Sequence, residues 1–285
     1  MITRRENYAH AFARGRRRLR ASPTPEIDAR VLLMLASGLD HAGLIAHDRD
    51  PVPDEVLERF AALLTRRREG EPVAYITGRQ EFYGRNFSVE PGVLIPRPET
   101  ELLIDASRGS HAGRVLDLGT GSGCLLLTAL LEMPEARGIG IDASAEALAV
   151  AARNREALRL TGRARLEKMR FEDVPVMLRG ELFDLILANP PYIPEKTELP
   201  ASVAGFEPKG ALYSGPDGLR DHRQVAEVIA RMLAPSGSAF VEIGYDQEET
   251  AQAIYKESLP HFAVSVEKDM AGLPRMVAVR PKGSL

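Results

Sequence analysis

From Arg114 to Ser258 the chain alternates two hydrophobic rhythms. Short apolar runs at Arg114–Leu118, Gly138–Ile141, Ala164–Lys168, Phe183–Ala188 and Ser238–Ile243 have strand length. Between and after them, Ser122–Leu131, Ser144–Leu160, His222–Leu233 and Gln247–Ser258 place apolar residues at helical spacing. Strands alternating with helices predict right-handed crossovers and a mostly parallel sheet. The tail departs from this rhythm. Phe262–Val266 and Met276–Val279 flank Gly272-Leu273-Pro274, which predicts a closing antiparallel hairpin.

The front of the chain follows a different pattern. Leu19, Ile27, Val31, Leu32 and Leu35, then Val56, Leu57, Phe60, Leu63 and Leu64, recur at helical intervals over residues 1 to about 70. Thr24-Pro25-Glu26 and Pro53-Asp54-Glu55 read as helix starts, Ser37-Gly38 and Glu69-Gly70 as stops. Residues 71–100 are rich in β-branched and aromatic residues punctuated by Gly and Pro. They predict a hairpin over about 73–89 and then an extended, Pro-rich linker. The expected division is therefore 1–70 helical, 71–100 hairpin and linker, and 101–285 α/β.

Composition narrows the class. With 44% hydrophobic and 27% charged residues, the 285-residue chain reads as globular. One cysteine, Cys124, excludes a disulfide framework, and six scattered histidines show no metal-ligand spacing, so no metal is expected. No apolar stretch is long enough to span a membrane and no secretory signal is legible, which points to the cytoplasm. The net charge of −3 argues against a protein built to coat nucleic acid. Its distribution is uneven: residues 1–80 carry 14 Arg against 11 acids, and the rest carry 23 basic against 29 acidic residues. The run Arg14–Arg20 reads as a solvated helix face.

Two stretches carry chemistry. Val115–Leu118 runs into Gly119-Thr120-Gly121-Ser122-Gly123 and then a helix, the arrangement that brings backbone close to a ligand. The glycine spacing is G-x-G-x-G, not the G-x-G-x-x-G of dinucleotide sites, and Asp117 at the strand end would repel a pyrophosphate. Asp142 ends the next strand, 23 positions after Gly119, where an acid can bind ribose hydroxyls. Asp173 follows the third strand. Acids around a glycine turn suit a nucleoside ligand with a cationic centre and no phosphate, which favours S-adenosylmethionine over NAD. The second stretch, Asn189-Pro190-Pro191-Tyr192, follows the fourth strand. Two prolines stiffen the turn and remove two N–H donors, leaving carbonyls free to accept. The Asn189 side chain and the Pro190 carbonyl could accept both hydrogens of a planar –CO–NH₂ or aromatic amine, and Tyr192 offers a face for stacking. Glu242 ends a predicted central strand and reads either as support for this site or as a simple strand-end acid.

Asp117–Gly123 followed by Asn189–Tyr192 resembles the class I S-adenosylmethionine-dependent amino-methyltransferases. Several flanks are similar to the HemK-type protein-(glutamine N5) methyltransferases of peptide chain release factors: Pro72–Gly78, Glu81–Gly84, Leu94–Glu101, Phe206-Glu207-Pro208, Gly215–Leu219 and Asp269–Arg275. The resemblance covers essentially the whole chain. It implies an α/β fold with a mostly parallel, seven-stranded Rossmann-like sheet, closed by an antiparallel hairpin and preceded by a small helical substrate-docking domain. It implies S-adenosylmethionine as cofactor, S-adenosylhomocysteine as product, and the glutamine of a release factor Gly-Gly-Gln loop as acceptor. The expected protein is a monomer that takes neither nucleic acid nor membrane as partner and modulates translation termination. Gly119–Gly123 would pack on the methionine part of the cofactor, with Asp117 near its ammonium and Asp142 on the ribose. Asp173 and Val174 would border the adenine, with Glu172 as the alternative acid and Phe171 as a stacking ring. Asn189, Pro190, Pro191 and Tyr192 would hold the amide, Asn189 would also touch the cofactor, and Phe82 and Arg97–Thr100 would cover the pocket. Adenine-N6 methyltransferases share the Asn189–Tyr192 loop, but the acidic catalytic half fits them poorly.

Overall fold

The computed structural model describes residues 6–110 and 112–283, so His111 lies outside the described residues. The chain divides into two compact units, Met1–Arg79 with Pro200–Phe206, and Gln80–Leu199 with Glu207–Leu285. Residues 80–100 of the expected linker thus fall within the larger unit. There, Tyr83 donates its backbone N–H to Glu101 Oε1 at 2.8 Å and Ser88 donates its own to Asn154 Oδ1 at 2.7 Å.

The smaller unit is helical: α1 (Tyr8–Arg18), α2 (Pro25–Ser37), α3 (His41–Ala46), α4 (Asp54–Arg68) and α5 (Val73–Thr77). Helix α5 occupies the start of the expected hairpin. Pro72 enters it with φ −58°, and Gly78 ends it in the left-handed region. The buried stripe of α2 is also rotated from expectation. Ala29, Leu32, Leu33 and Ala36 face the core, while Ile27 and Leu35 are exposed. The cause is Asp28, buried on that face. It accepts hydrogen bonds from Arg67 Nε at 2.7 Å, Ser22 Oγ at 2.6 Å and Thr24 Oγ1 at 2.8 Å. Removing one partner of a buried ion pair strands the other charge. Asp28→Ala should therefore lower the unfolding free energy by about 3 kcal/mol, measured by urea denaturation.

The larger unit opens with a hairpin, β1 (Arg79–Phe82) and β2 (Arg85–Ser88), followed by α6 (Glu101–Ser107). The alternation then runs β3 (Arg114–Leu118), α7 (Cys124–Glu132), β4 (Arg137–Asp142), α8 (Ala145–Ala157) and β5 (Ala164–Lys168). It continues with α9 (Val174–Met177) and β6 (Phe183–Ala188). The short α10 (Ala201–Ala204) belongs to the smaller unit, and α11 (Arg220–Met232), β7 (Leu233–Glu242), α12 (Glu248–Ser258), β8 (Phe262–Lys268) and β9 (Pro274–Pro281) complete the chain. The seven-stranded sheet has the order β5-β4-β3-β6-β7-β9-β8. Strands β3 to β7 pair in parallel, and β9 runs antiparallel to both β7 and β8. The tail hairpin is as expected.

Period-two alternation sorts the side chains onto two covered faces. Leu116, Leu118, Ile186, Ala188, Ala239 and Val241 join one core with Val225 and Ile229 of α11 and Tyr255 of α12. Val115, Leu185, Leu187 and Phe240 join the other with Leu103 of α6 and Leu126 of α7. Burial on both faces explains why these strands read as continuous apolar runs. It also leaves the carboxyl ends of β3, β4 and β6 as an edge on which polar side chains can be displayed. The strand order reverses beside β3, and that is where open α/β sheets bind ligands.

Candidate active site

A cavity of about 610 Å³ lies at this edge. That is within the range of small-molecule sites. Its lining comes from the turn after β3, the end of β4, the segment after β5, the loop after β6 and the 92–100 segment.

The glycine turn is shaped by its backbone. Gly119 has φ +75° and Gly121 +56°, conformations that side chains with a Cβ rarely adopt. The N–H groups of Gly119 and Thr120 both donate to the Ile141 carbonyl, at 3.0 and 2.8 Å, which ties the turn to β4. Beneath the turn Asp117 is fully buried. Its Oδ2 accepts from Thr120 Oγ1 at 2.6 Å and from the backbone N–H of Leu126, in the first turn of α7, at 3.2 Å. Its Oδ1 is buried with no partner. Asp142 lines the cavity and accepts from the N–H of Gly121 at 2.9 Å and of Ser144 at 2.8 Å.

The loop after β6 is held from several sides. Ile193 donates its N–H to the Leu212 carbonyl at 3.0 Å and accepts from Ser214 N–H at 2.9 Å. Gln247 Nε2 donates to the carbonyls of Tyr192 at 3.0 Å and Gly218 at 3.2 Å. A Cβ on Gly218 would lie 2.4 Å from the Tyr192 carbonyl oxygen, so the Gly215–Leu219 segment supports the loop only with glycine there. Asn189 Nδ2 donates to Thr100 Oγ1 at 3.1 Å, Thr100 Oγ1 donates to Glu242 Oε2 at 2.6 Å, and Tyr192 Oη donates to Glu242 Oε1 at 3.4 Å. Arg97 pairs with the buried Glu207 at 2.5 Å, and Glu207 also accepts from Ile95 N–H at 3.1 Å.

Burial dominates the electrostatics. It pushes the Asp117 carboxyl up to about 7, against the pull of its Thr120 and Leu126 hydrogen bonds, with Asp142 nearby adding to the rise. Burial also pushes Glu242 up to about 7, against hydrogen bonds from Thr100 and Tyr192. The Tyr192 hydroxyl is raised by the same desolvation and by Glu242. A carboxyl with a raised folded pKa keeps its proton in the folded state while the unfolded chain has lost it. The ligand-free chain should thus lose stability as pH rises from the ordinary carboxylate range through about 7. Asp117→Asn should flatten that slope, read as melting temperature against pH. His222, buried and pushed down to about 4, acts with the opposite sign: its contribution is lost as pH falls below 6.5.

Residues 10–78 match the family described as PrmC N-terminal domain, and residues 110–269 match a methyltransferase domain family. The release factor glutamine methyltransferase of Caulobacter vibrioides is 43% identical over 241 residues, covering 81% of each chain. That of Salmonella typhimurium is 33% identical over 278 residues, covering 96% of this chain and 99% of its own. The chain belongs to the release factor glutamine methyltransferase family. A methyltransferase from Pyrococcus furiosus shares the fold, with TM-score 0.52 and 17% identity over 78% of this chain and 99% of that one. A 16S rRNA methyltransferase of T. thermophilus does so too, with TM-score 0.50 and 18% identity over 72% and 50%.

The positions singled out by the family resemblance fall into three groups. Gly119, Thr120, Gly121, Ser122, Asp142, Asn189 and Pro191 all line the cavity. Asp117, Gly123, Pro190 and Tyr192 lie outside the lining but are built into the same turn and loop. Four residues are placed differently from expectation. Phe82 is fully buried, packed edge-on to Phe87 at 6.1 Å, because β1 turns that position into the core. Val174 is likewise a core residue at the start of α9. Asp173 is exposed and outside the lining, while Phe171 and Glu172 line the cavity. The reason is the 3-10 turn Phe171–Asp173, which carries the Phe171 ring to the glycine turn: a Cβ on Gly119 would lie 3.5 Å from it. Arg97 does not line the cavity; it anchors the covering segment through Glu207, while Pro96 and Thr100 face the space. Nothing in the sequence marks Gln247, and Thr100 stands in it only as the end of the covering segment. Thr100 resembles a helix cap, yet its hydroxyl caps nothing and bridges Asn189 to Glu242.

Proposed function

We propose that this chain transfers a methyl group from S-adenosylmethionine to the side-chain amide nitrogen of the glutamine in the Gly-Gly-Gln loop of peptide chain release factors. The observation that carries the reading is the pairing of two free acceptors on one stiff loop. Asn189 has its Nδ2 engaged by Thr100, and neither its Oδ1 nor the Pro190 carbonyl has a partner among the described residues. A primary amide presents two N–H donors, which those two oxygens match.

The residues fit the cofactor. Asp117 Oδ1 is an unpartnered carboxylate oxygen buried beneath the turn, suited to an ammonium or sulfonium and hostile to a phosphate. Gly119 and Gly121 bring bare backbone to the cavity, Asp142 lines it as a ribose acceptor, and Phe171 with Glu172 would take the adenine. When bound, S-adenosylmethionine supplies an electrophilic methyl and leaves as S-adenosylhomocysteine. The chain's own part is positioning. An amide nitrogen is a poor nucleophile because its lone pair is delocalised. Holding both hydrogens favours pyramidalisation and aims the lone pair, so catalysis is orientation and electrostatics. Once methylated, the nitrogen bears a positive charge and loses one N–H proton to water, which gives the neutral N-methyl amide. Tyr192 stiffens the same loop, its hydroxyl tied to Glu242.

The smaller unit is read as a dock for the body of the release factor, and the protein as a cytoplasmic monomer. No described helix is long and apolar enough to cross a membrane. Arg17 and Arg20 are exposed at the end of α1 and beyond it. Reversing both to Glu should lower kcat/KM on an intact release factor about tenfold and leave a Gly-Gly-Gln peptide unaffected. Steady-state kinetics on the two substrates checks this. The function itself is tested by incubation with labelled S-adenosylmethionine and, in parallel, a release factor, its loop Gln→Ala variant and duplex DNA. Label on the first alone is expected; label on DNA, or undiminished label on the variant, would overturn the reading.

A further inference from the structure

The carboxamide of Asn189 can point either end at the cavity, and its direction decides whether it accepts or donates there. Its surroundings fix the direction. Above about pH 7, where the buried Glu242 is ionised, it accepts only, so at 2.6 Å from Oε2 the Thr100 hydroxyl spends its single proton on Glu242. What remains on Thr100 Oγ1 is lone pairs. At 3.1 Å the Asn189 group facing it must then be the amino end, which turns Oδ1 away from Thr100. Glu242 is 3% exposed, and its second oxygen accepts from the Tyr192 hydroxyl. One buried carboxylate therefore governs two side chains of the Asn189–Tyr192 loop, one of them through Thr100.

We propose that Thr100 and Glu242 are positioning residues that lock the Asn189 carboxamide with its oxygen toward the substrate and thereby select a carboxamide over a carboxylate. The inference rests on the reading of Asn189 as the acceptor for the substrate amide. A glutamine N–H meets an acceptor in the locked orientation. A glutamate in its place would set oxygen against oxygen, which the site cannot relieve while Thr100 holds the amino end. Freed from Thr100, Asn189 can rotate and offer its N–H to a carboxylate. The lock thus acts on the choice of acceptor group as well as on rate.

The test uses the full chain at a pH above 8, where Glu242 is ionised, saturated with S-adenosylhomocysteine, and two release factors differing only in Gln or Glu at the loop position. The native chain should bind the Gln form about 10²-fold more tightly. Thr100→Val, nearly isosteric but without the hydroxyl, should bring the two affinities within about fivefold of each other. In turnover assays it should lower kcat about 10²-fold while KM for S-adenosylmethionine stays within about twofold. Thr100→Ser should restore both the preference and the rate. If Thr100→Val does not fold, Thr100→Ala carries the same readout. A hydroxyl-free variant that keeps the full Gln preference would overturn the proposal, as would a serine variant as defective as valine. Failure of the native chain to prefer Gln, or to methylate it, would instead overturn the reading of the site.

Discussion

Asn189→Ala should lower kcat about 10³-fold and leave the dissociation constant for S-adenosylmethionine nearly unchanged. The two effects separate because of what Asn189 touches. Its side chain is bonded to Thr100 and, on the proposed reading, to the acceptor amide. The turn proposed to cradle the cofactor is held by other bonds: the Gly119 and Thr120 amides donate to the Ile141 carbonyl, and Asp142 accepts from Gly121 and Ser144. The loop backbone is anchored through Ile193 and Tyr192, so loss of the Asn189 side chain should not release it. Losing one of two acceptors frees an amide N–H and misaims the nitrogen, an error expressed in the transition state. Single-turnover kinetics with calorimetric titration of the cofactor checks this. Equal losses in both would mean that Asn189 holds the cofactor.

The second large effect is expected at Asp117. Asp117→Asn should weaken S-adenosylmethionine binding about 30-fold, equivalent to about 2 kcal/mol. An asparagine can still accept from Thr120 or Leu126, so the turn should survive. It cannot supply the negative charge whose unpartnered oxygen lies buried beneath the glycines. The loss should follow the amino acid end of the ligand. Methylthioadenosine, which lacks both that end and the sulfonium charge, should bind the variant and the native chain alike. An equal loss for both ligands would place Asp117 elsewhere in recognition.

The sheet was legible in the sequence because two covered faces make each parallel strand a continuous apolar run, as in Val115–Leu118 and Phe183–Ala188. The glycine turn and the Asn189 loop were legible because their chemistry is local. Errors arose where a distant partner decides orientation. Buried Asp28, bound to Arg67 of another helix, rotates α2, and Phe82 turns inward because it packs on Phe87 across the hairpin. Val174 packs in the core, and Phe171 and Glu172 line the cavity in its place. Thr100 is separated by 89 residues from Asn189 and by 142 from Glu242, and no periodicity joins such positions.

The uneven charge of the chain takes on meaning in this setting. The acidic residues of the larger unit include Asp117 and Asp142, which suit a cationic cofactor. The arginines at the end of α1 lie in the smaller unit, on the surface proposed to receive a protein.

The central claim is that the loop after β6 presents two acceptors to a primary amide. Its most direct test is fragmentation mass spectrometry of a release factor after incubation with the chain and S-adenosylmethionine. The account predicts a single added methyl on the side-chain nitrogen of the Gly-Gly-Gln glutamine, lost with Asn189→Ala. A methyl on a carboxylate, on a lysine or elsewhere in the factor would contradict it.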